Sequence, residues 1–136
     1  MKIFIDTNVM LDLILEREEF VGDSDAALEK AIKNGDRLYF STSAITDIYY
    51  LLHKQTKDKE LALIPIRQMT TFLIFADVTC EDIIGALDSD LNDFEDAVID
   101  TVAFNNEADY ILTRNIKDFK GSKCRAITPK SFLNMY

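Results

Sequence analysis

The sequence has few of the residues from which common catalytic and structural sites are built. Its 136 residues include one histidine, two cysteines and no tryptophan. Cys80 and Cys124 lack metal-type spacing and are too few for a disulfide framework, so we expect reduced thiols. His53 stands beside Lys54 near the predicted end of a helix, where a solvated role is expected. These shortages argue against a thiolate metal site and against a Ser-His-Asp arrangement.

Glycine and proline are also scarce, with four and two residues. Neither G-x-G-x-x-G nor G-x-x-x-x-G-K-[ST] occurs, so a nucleotide cofactor has little support. No apolar run approaches the roughly 20 residues of a membrane span, and Asp6 interrupts the first apolar residues too early for a signal peptide. We therefore expect one soluble, cytoplasmic domain over residues 1–136, with no membrane partner.

Basic residues are in the minority, with 15 Lys and Arg against 24 Asp and Glu and a net charge of -9. This balance ordinarily argues against a polyanionic partner, because phosphate contacts are built from lysine and arginine. The cations are unevenly placed, however. Residues 114–130 carry Lys or Arg at six positions and Asp118 as the only acid. The segment is therefore either a solvated basic edge or a surface for phosphates.

Apolar runs and helical patterns alternate along the chain. Short apolar runs predict strands at residues 2–5, 37–41 and 75–79, from Tyr110 onward, and at 126–127. Amphipathic patterns predict helices after Asp6, at residues 24–35, 42–54, 58–75, 80–88 and 94–107, and from Thr128 onward. Strands that alternate with helices predict a parallel sheet with right-handed crossovers. We expect an α/β fold: a single three-layer α/β/α domain with about five parallel strands.

Acidic residues stand where the chemistry of such a sheet is usually found, beyond the carboxyl ends of its strands. Asp6 follows the first predicted strand, although an N-cap role would also explain it. Asp47 is predicted in mid-helix on a largely apolar face, where an ionised carboxylate costs free energy unless a cation or donors meet it. A boundary position that reaches solvent is the alternative for Asp47.

The later acids form a second group. Asp96 and Asp100 lie one helical turn apart, a like-charge pair that costs about 0.2–0.5 kcal/mol on an isolated helix. A cation shared by that face would remove this cost. The start of the helix by itself would explain Asp93, Glu95 and Asp96, but not Asp100. Asp118 follows the strand at Tyr110 and has a turn role as its alternative. Carboxylates without a histidine or cysteine partner suit Mg²⁺ or Mn²⁺ better than Zn²⁺.

Four stretches occur in the order in which they are found in PIN-domain proteins: "IFIDTNVMLDLI", "STSAITDIYYLL", "DFEDAVIDTVAF" and "ADYILTRNIKDF". The sequence resembles this family, and within it the VapC-like toxins of bacterial toxin–antitoxin pairs. The resemblance implies a parallel sheet flanked by helices, an acidic pocket, and cleavage of RNA that depends on Mg²⁺ or Mn²⁺ and leaves a 5′-phosphate and a 3′-hydroxyl. It also implies an antitoxin partner and a homodimer.

The resemblance assigns roles to particular residues. Asp6, Asp96 and Asp118 match the family's catalytic, metal-binding aspartates, and Asp47 stands where the toxins commonly have a glutamate, one methylene longer. The residues expected to support these acids by hydrogen bonds or bound water are Thr7, Asn8, Thr113 and Asn115, with Asp100 as an accessory acid. Arg114 and Lys117 are expected to meet the nucleic-acid backbone.

Other functions remain as alternatives. A PIN-like module of weak or no activity would keep the pocket and act by binding RNA or a protein. A phosphoryl-transfer enzyme of the haloacid-dehalogenase type would require D-x-D, but Asn8 occupies the place of the second aspartate in "DTN". A response-regulator receiver domain would require an early acidic pair, which is not evident.

Overall fold

Residues 1–135 are described by a computed structural model, and they contain a five-stranded sheet. The strands are β1 (Lys2–Ile5), β2 (Arg37–Ser41), β3 (Ile74–Ala76), β4 (Tyr110–Leu112) and β5 (Ala126–Ile127), in the spatial order β3-β2-β1-β4-β5. Every neighbouring pair is parallel. The predicted parallel sheet of about five strands is therefore confirmed.

Helices connect the strands in this part of the chain. They are α1 (Thr7–Ile14), α2 (Val21–Lys33), α3 (Ile45–Thr56), α4 (Lys59–Met69), α5 (Cys80–Leu87), α6 (Phe94–Asn105) and α7 (Pro129–Leu133), with short 3₁₀ helices at Thr42–Ala44 and Ile116–Phe119. None of the helices found in residues 1–135 has the length and apolar character that a membrane span requires.

Apolar side chains on the two faces of the sheet form separate cores. Ile3 and Ile5 of β1 pack with buried residues of α1, α2, α3, α4 and α7. Phe4, between them in sequence, packs on the opposite face with residues of α5 and α6. Successive residues of a strand point to opposite faces, so these two clusters place helices on both sides of the sheet. The predicted three-layer arrangement is confirmed.

Two helices begin three residues away from their predicted starts. The helix predicted from residue 24 begins at Val21, and Ser24 is buried inside it with its N–H donated to the Phe20 carbonyl. The helix predicted from residue 42 begins at Ile45, after a 3₁₀ turn in which Ser41 Oγ accepts the Ser43 N–H. Asp47 therefore lies in the first turn of α3 and is exposed, which corrects the expectation of a mid-helix carboxylate on an apolar face.

The strand order creates a crevice at one edge of the sheet. From β1 the chain proceeds outward through β2 and β3 on one side, while β4 and β5 extend the sheet on the other. The carboxyl ends of β1 and β4 are neighbours, with Ile5 aligned to Leu112. Such a switch point is where open α/β sheets bind ligands. The residues that follow these two strands are therefore the first to consider for function.

Candidate active site

Asp6 occupies the centre of this crevice. Its N–H donates to the Leu112 carbonyl at 2.9 Å, which extends the pairing of β1 with β4, and Thr113 Oγ1 donates to its Oδ2 at 2.8 Å. The side chain is 3% exposed and makes no capping hydrogen bond to α1. Burial raises the pKa of Asp6 to about 6, although the Thr113 hydroxyl acts in the opposite direction. A simple N-cap role does not account for this carboxylate.

Asp96 lies in the first turn of α6, beside the same crevice. Asp93 caps this helix, and its Oδ1 accepts the Asp96 N–H at 3.0 Å. Burial, together with the charges on Asp6, Asp93 and Asp118, raises the pKa of Asp96 to about 7. The carboxylates are thus close enough to oppose one another's ionisation.

Acids from four segments line one open cavity of about 440 Å³. Asp6 comes from the end of β1, Asp47 from α3, Asp96 from α6 and Asp118 from the 3₁₀ helix at Ile116–Phe119. The structure therefore brings together all four acids that the sequence analysis selected. Thr7 and Asn8 of α1 also line this cavity, which we call the acidic pocket.

Thr113 and Asn115 support the pocket from the loop after β4. Thr113 is fully buried, and its hydroxyl both donates to Asp6 and accepts the Asn115 N–H at 3.1 Å. Asn115 itself is not among the residues that line the acidic pocket. Its contact with the site is indirect, through the hydroxyl that orients Asp6.

Glu95 and Asp93 also line the acidic pocket, a position that the sequence analysis did not assign to them. Thr7 Oγ1 donates to Glu95 Oε1 at 3.4 Å. Burial raises the pKa of Glu95, and the charges of Asp47 and Asp93 add to that effect. An N-terminal helix turn needs one capping acid, which Asp93 supplies. The further acids at 95 and 96 were the available signal for additional pocket residues.

The donor chemistry of the pocket suits a hard divalent cation, because every titratable side chain lining it is a carboxylate. Across residues 1–135, however, no three Asp, Glu, His or Cys side chains already lie at separations that would hold one metal ion. Asp6 is fixed by Thr113, whereas Asp47, Glu95 and Asp118 are exposed. Ligation would therefore require the exposed carboxylates to turn inward toward Asp6 and Asp96.

Asp100, the expected accessory acid, does not line this pocket. It is 2% exposed, and its two oxygens accept the backbone N–H groups of Lys123 and Cys124 at 2.9 and 2.8 Å. The like-charge argument that linked it to Asp96 considered only the helix. The backbone of a loop 23 residues later supplies the compensating donors instead.

Arg114 also has partners within the protein, and its contact with a nucleic-acid backbone stays a prediction. Its Nε donates to Asp12 Oδ2 at 2.9 Å, and its guanidinium lies 4.1 Å from the centre of the Phe20 ring. Asp12 is fully buried, and its other oxygen accepts from Arg17 Nη1 at 3.1 Å. Lys117, by contrast, is exposed and lines a smaller cavity together with Asp96 and Asp118.

Comparison with known proteins agrees with this geometry. The family model described as PIN domain matches residues 2–117. Ribonuclease VapC1 of Aquifex aeolicus (strain VF5) is 29% identical, with 96% of this chain and 92% of that protein covered. The structure of VapBC2 from Rickettsia felis bound to a DNA fragment from their promoter superposes with a TM-score of 0.76 at 17% identity, over 94% of this chain and 98% of that one. A toxin–antitoxin complex from Klebsiella pneumoniae gives a TM-score of 0.69 at 20% identity, over 93% and 96% of the two chains.

Proposed function

This chain belongs to the PIN domain family, and we propose that it is a metal-dependent ribonuclease that hydrolyses phosphodiester bonds in RNA. The observation that carries the proposal is the convergence of Asp6, Asp47, Asp96 and Asp118 on one pocket at the carboxyl edge of the sheet. A relative that is 29% identical over nearly the whole chain bears the name ribonuclease, which supports the same reaction class.

Asp6, Asp96 and Asp118 are the proposed ligands of Mg²⁺ or Mn²⁺. Asp47 is exposed and one methylene shorter than the glutamate common in the toxins, so we assign it a contact through water. When bound, the cation would supply Lewis-acid stabilisation of the phosphate and a water of lowered pKa.

The protein's own groups position these ligands. The Thr113 hydroxyl orients Asp6 at 2.8 Å, whereas the Thr7 hydroxyl makes only a long contact of 3.4 Å with the exposed Glu95. The carboxylates that raise the pKa of Asp96 keep its proton competitive with a cation near neutral pH. Lys117, beside Asp118, provides a positive charge for the phosphate backbone.

We further propose that the protein is the toxin of a toxin–antitoxin pair, with an antitoxin as partner and a homodimeric state. A similar fold in a structure described as a toxin–antitoxin complex supports this role. Induced expression in bacteria is the test. Growth arrest by the wild type, together with normal growth when Asp6→Asn/Asp96→Asn is expressed, would support the toxin role. Normal growth on expression of the wild type would contradict it.

A module that binds RNA or a protein without cutting is the second candidate. It is favoured by the absence, within residues 1–135, of three carboxylates already gathered around one metal position, and by the short, exposed side chain of Asp47. Such a module would bind its partner equally well after the acids had been neutralised.

Incubation of purified protein with labelled structured and single-stranded RNAs separates the two candidates. Reactions contain Mn²⁺, Mg²⁺ or a chelator, and compare the wild type with Asp6→Asn/Asp96→Asn and with Asp88→Asn, an exposed acid at the end of α5 outside the acidic pocket. We expect cleavage that requires a metal, that the double variant loses and that Asp88→Asn retains. RNA that stays intact under all metal conditions, or equal cleavage by the double variant, would contradict the ribonuclease.

A further inference from the structure

Three adjoining cavities lead from the acidic pocket to a group of cations. The acidic pocket shares Asp93, Asp96 and Asp118 with a second cavity of about 230 Å³. That cavity shares Lys117 and Lys120 with a third, of about 500 Å³. The three cavities therefore adjoin in series along the surface, and the charge of the lining changes sign along the way.

The third cavity is lined by Lys117, Lys120, Lys123 and Arg125, which we call the basic track. All four residues are exposed. None of them makes an ion pair with any carboxylate of residues 1–135. Their charge is thus available to an external anion, which sets them apart from Arg114, Arg17 and Lys33.

The loop that carries the basic track is fixed in place. Asp100 accepts the N–H groups of Lys123 and Cys124, and Phe119 is 3% exposed in the core. Gly121 takes a positive φ of 87°, a conformation for which glycine is suited, where the chain turns between these anchors. Two of the cations also lie over aromatic rings, with Lys123 5.9 Å from the Phe104 ring and Arg125 5.6 Å from the Tyr110 ring. An anchored backbone presents the four cations in a defined order, so less entropy is lost on binding a repeating anion than with a mobile loop.

We propose that the basic track binds the phosphate backbone of an RNA strand whose scissile phosphate lies in the acidic pocket. The inference rests on the proposed ribonuclease function and adds the path of the RNA strand. The strand would run from the acidic pocket past Lys117 and Lys120 to Lys123 and Arg125. Charge complementarity identifies the occupant as a polyanion, because this basic surface belongs to a chain of net charge -9. Continuity with the acidic pocket identifies it as the substrate strand.

Binding of a labelled 12-nucleotide single-stranded RNA, with a chelator present so that no strand is cut, tests the track. The variant is Lys120→Gln/Lys123→Gln/Arg125→Gln, and the control is Lys54→Gln/Lys59→Gln/Arg67→Gln, which changes the charge equally at exposed positions on α3 and α4. Each phosphate contact contributes about 0.7 to the slope of log affinity against log salt for a single strand. We expect the track variant to bind at least about tenfold more weakly, with a slope shallower by about 2, while the control stays within twofold of the wild type. Equal affinity and slope in the two triple variants would overturn the proposal.

Cleavage measured in parallel distinguishes this inference from the function on which it rests. With Mn²⁺, we expect the track variant to lose at least tenfold more kcat/KM on the 12-nucleotide RNA than on a trinucleotide, which spans less of the track. Equal losses on both substrates would overturn the track while leaving the ribonuclease intact. If the wild type cuts neither RNA but the binding slope still depends on the track, the ribonuclease fails and the basic track stands as an RNA-binding surface.

Discussion

At the scale of single residues, the buried negative charge of Asp6 lowers the stability of the folded protein. Its folded pKa of about 6 is above the ordinary value of 3.8, so the folded protein retains a proton that the unfolded chain releases. The stability of the fold therefore falls as pH rises from about 4 to about 6, and the cost above that interval is at most roughly 3 kcal/mol. Active sites commonly carry such a cost in exchange for function.

We predict that Asp6→Asn is more stable than the wild type at pH 8 in the presence of a chelator, and that the difference shrinks toward pH 4. The asparagine Oδ1 still accepts the Thr113 hydroxyl hydrogen bond, but it has no charge to bury. Thermal melts from pH 4 to 8 measure the effect, with Asp88→Asn as the matched loss of an exposed charge. A variant that is less stable than the wild type at pH 8 would contradict this account of Asp6.

Asp12 is a fully buried carboxylate that pairs with two arginines, and we predict that the contributions of these arginines are not independent. Loss of either Arg17 or Arg114 leaves the other to pair with Asp12, whereas loss of both leaves a buried charge uncompensated, which costs about 3–5 kcal/mol. In denaturant unfolding, Arg17→Ala/Arg114→Ala should therefore lose more stability than the sum of the single variants. Adding Asp12→Asn should restore part of that loss. If the stability losses of the two single variants add up to that of the double variant, other groups compensate the charge of Asp12.

Single residues also show where reasoning from the sequence succeeds. Asp6 and Asp118 were identifiable because each follows a strand of a parallel sheet, and strand ends share an edge. The contacts of Arg114 and Asp100 were not predictable, because their partners are distant in sequence: Asp12 lies 102 positions from Arg114, and Lys123 lies 23 from Asp100. Local spacing carries no information about such pairs. From local spacing alone, a charged residue is expected either in solvent or in the site nearest to it in sequence.

At the scale of elements, apolar runs located β1, β2, β4 and β5 closely, because the strands of a sheet covered on both faces are almost continuously apolar. The third strand was placed less well: β3 spans Ile74–Ala76 and not residues 75–79, and α4 ends at Met69 although its helix was predicted to reach residue 75. The first residues of the helices were harder to predict from the sequence. Ser24 had the residue type of an N-cap but lies inside α2, while the start of α3 follows a 3₁₀ turn held by Ser41 and Ser43. Capping residue types are common in sequences, and the tertiary position decides which of them caps a helix.

The loop between the 3₁₀ helix at Ile116–Phe119 and β5 depends on one side chain of α6. We predict that Asp100→Asn lowers the free energy of unfolding by about 1–3 kcal/mol, because an amide has one acceptor oxygen for the two N–H groups of Lys123 and Cys124. Hydrogen exchange at those two amides should become faster. The affinity for Mn²⁺ should stay unchanged, since Asp100 does not line the acidic pocket. A loss of metal affinity with unaltered exchange would instead support the accessory role that the sequence suggested.

At the scale of the whole molecule, charge is separated into an acidic pocket and a basic track on one face. The net charge of -9 alone argued against a nucleic-acid partner, and the uneven placement of residues 114–130 argued for one. The fold reconciles these observations, because the acids from four segments meet at one edge of the sheet while the adjoining loop carries four of the cations. Composition reports the sum of the charges, whereas their arrangement decides which ligand the surface favours.

This arrangement predicts how the stability of the molecule responds to a divalent cation. A cation that binds the acidic pocket of the folded protein, and not the unfolded chain, stabilises the fold by RT ln(1 + [L]/Kd), or about 2.7 kcal/mol at 100 times Kd. For a domain of this size, we expect Mn²⁺ or Mg²⁺ at that concentration to raise the Tm by about 10 °C at pH 8. The rise should be smaller at pH 5, because Asp6 and Asp96, with pKa values of about 6 and 7, then hold protons that the cation must displace.

Melts with and without the cation at both pH values measure this response, and NaCl at matched ionic strength corrects for general screening of the acidic surface. Asp88→Asn should keep the full rise, whereas Asp6→Asn/Asp96→Asn should lose it at pH 8 as well. If the double variant gains as much Tm as the wild type, the cation binds elsewhere on the molecule. A Tm of the wild type that is indifferent to both cations at pH 8 would mean that the pocket holds no metal, and the repulsion among its carboxylates would then need another partner to offset it.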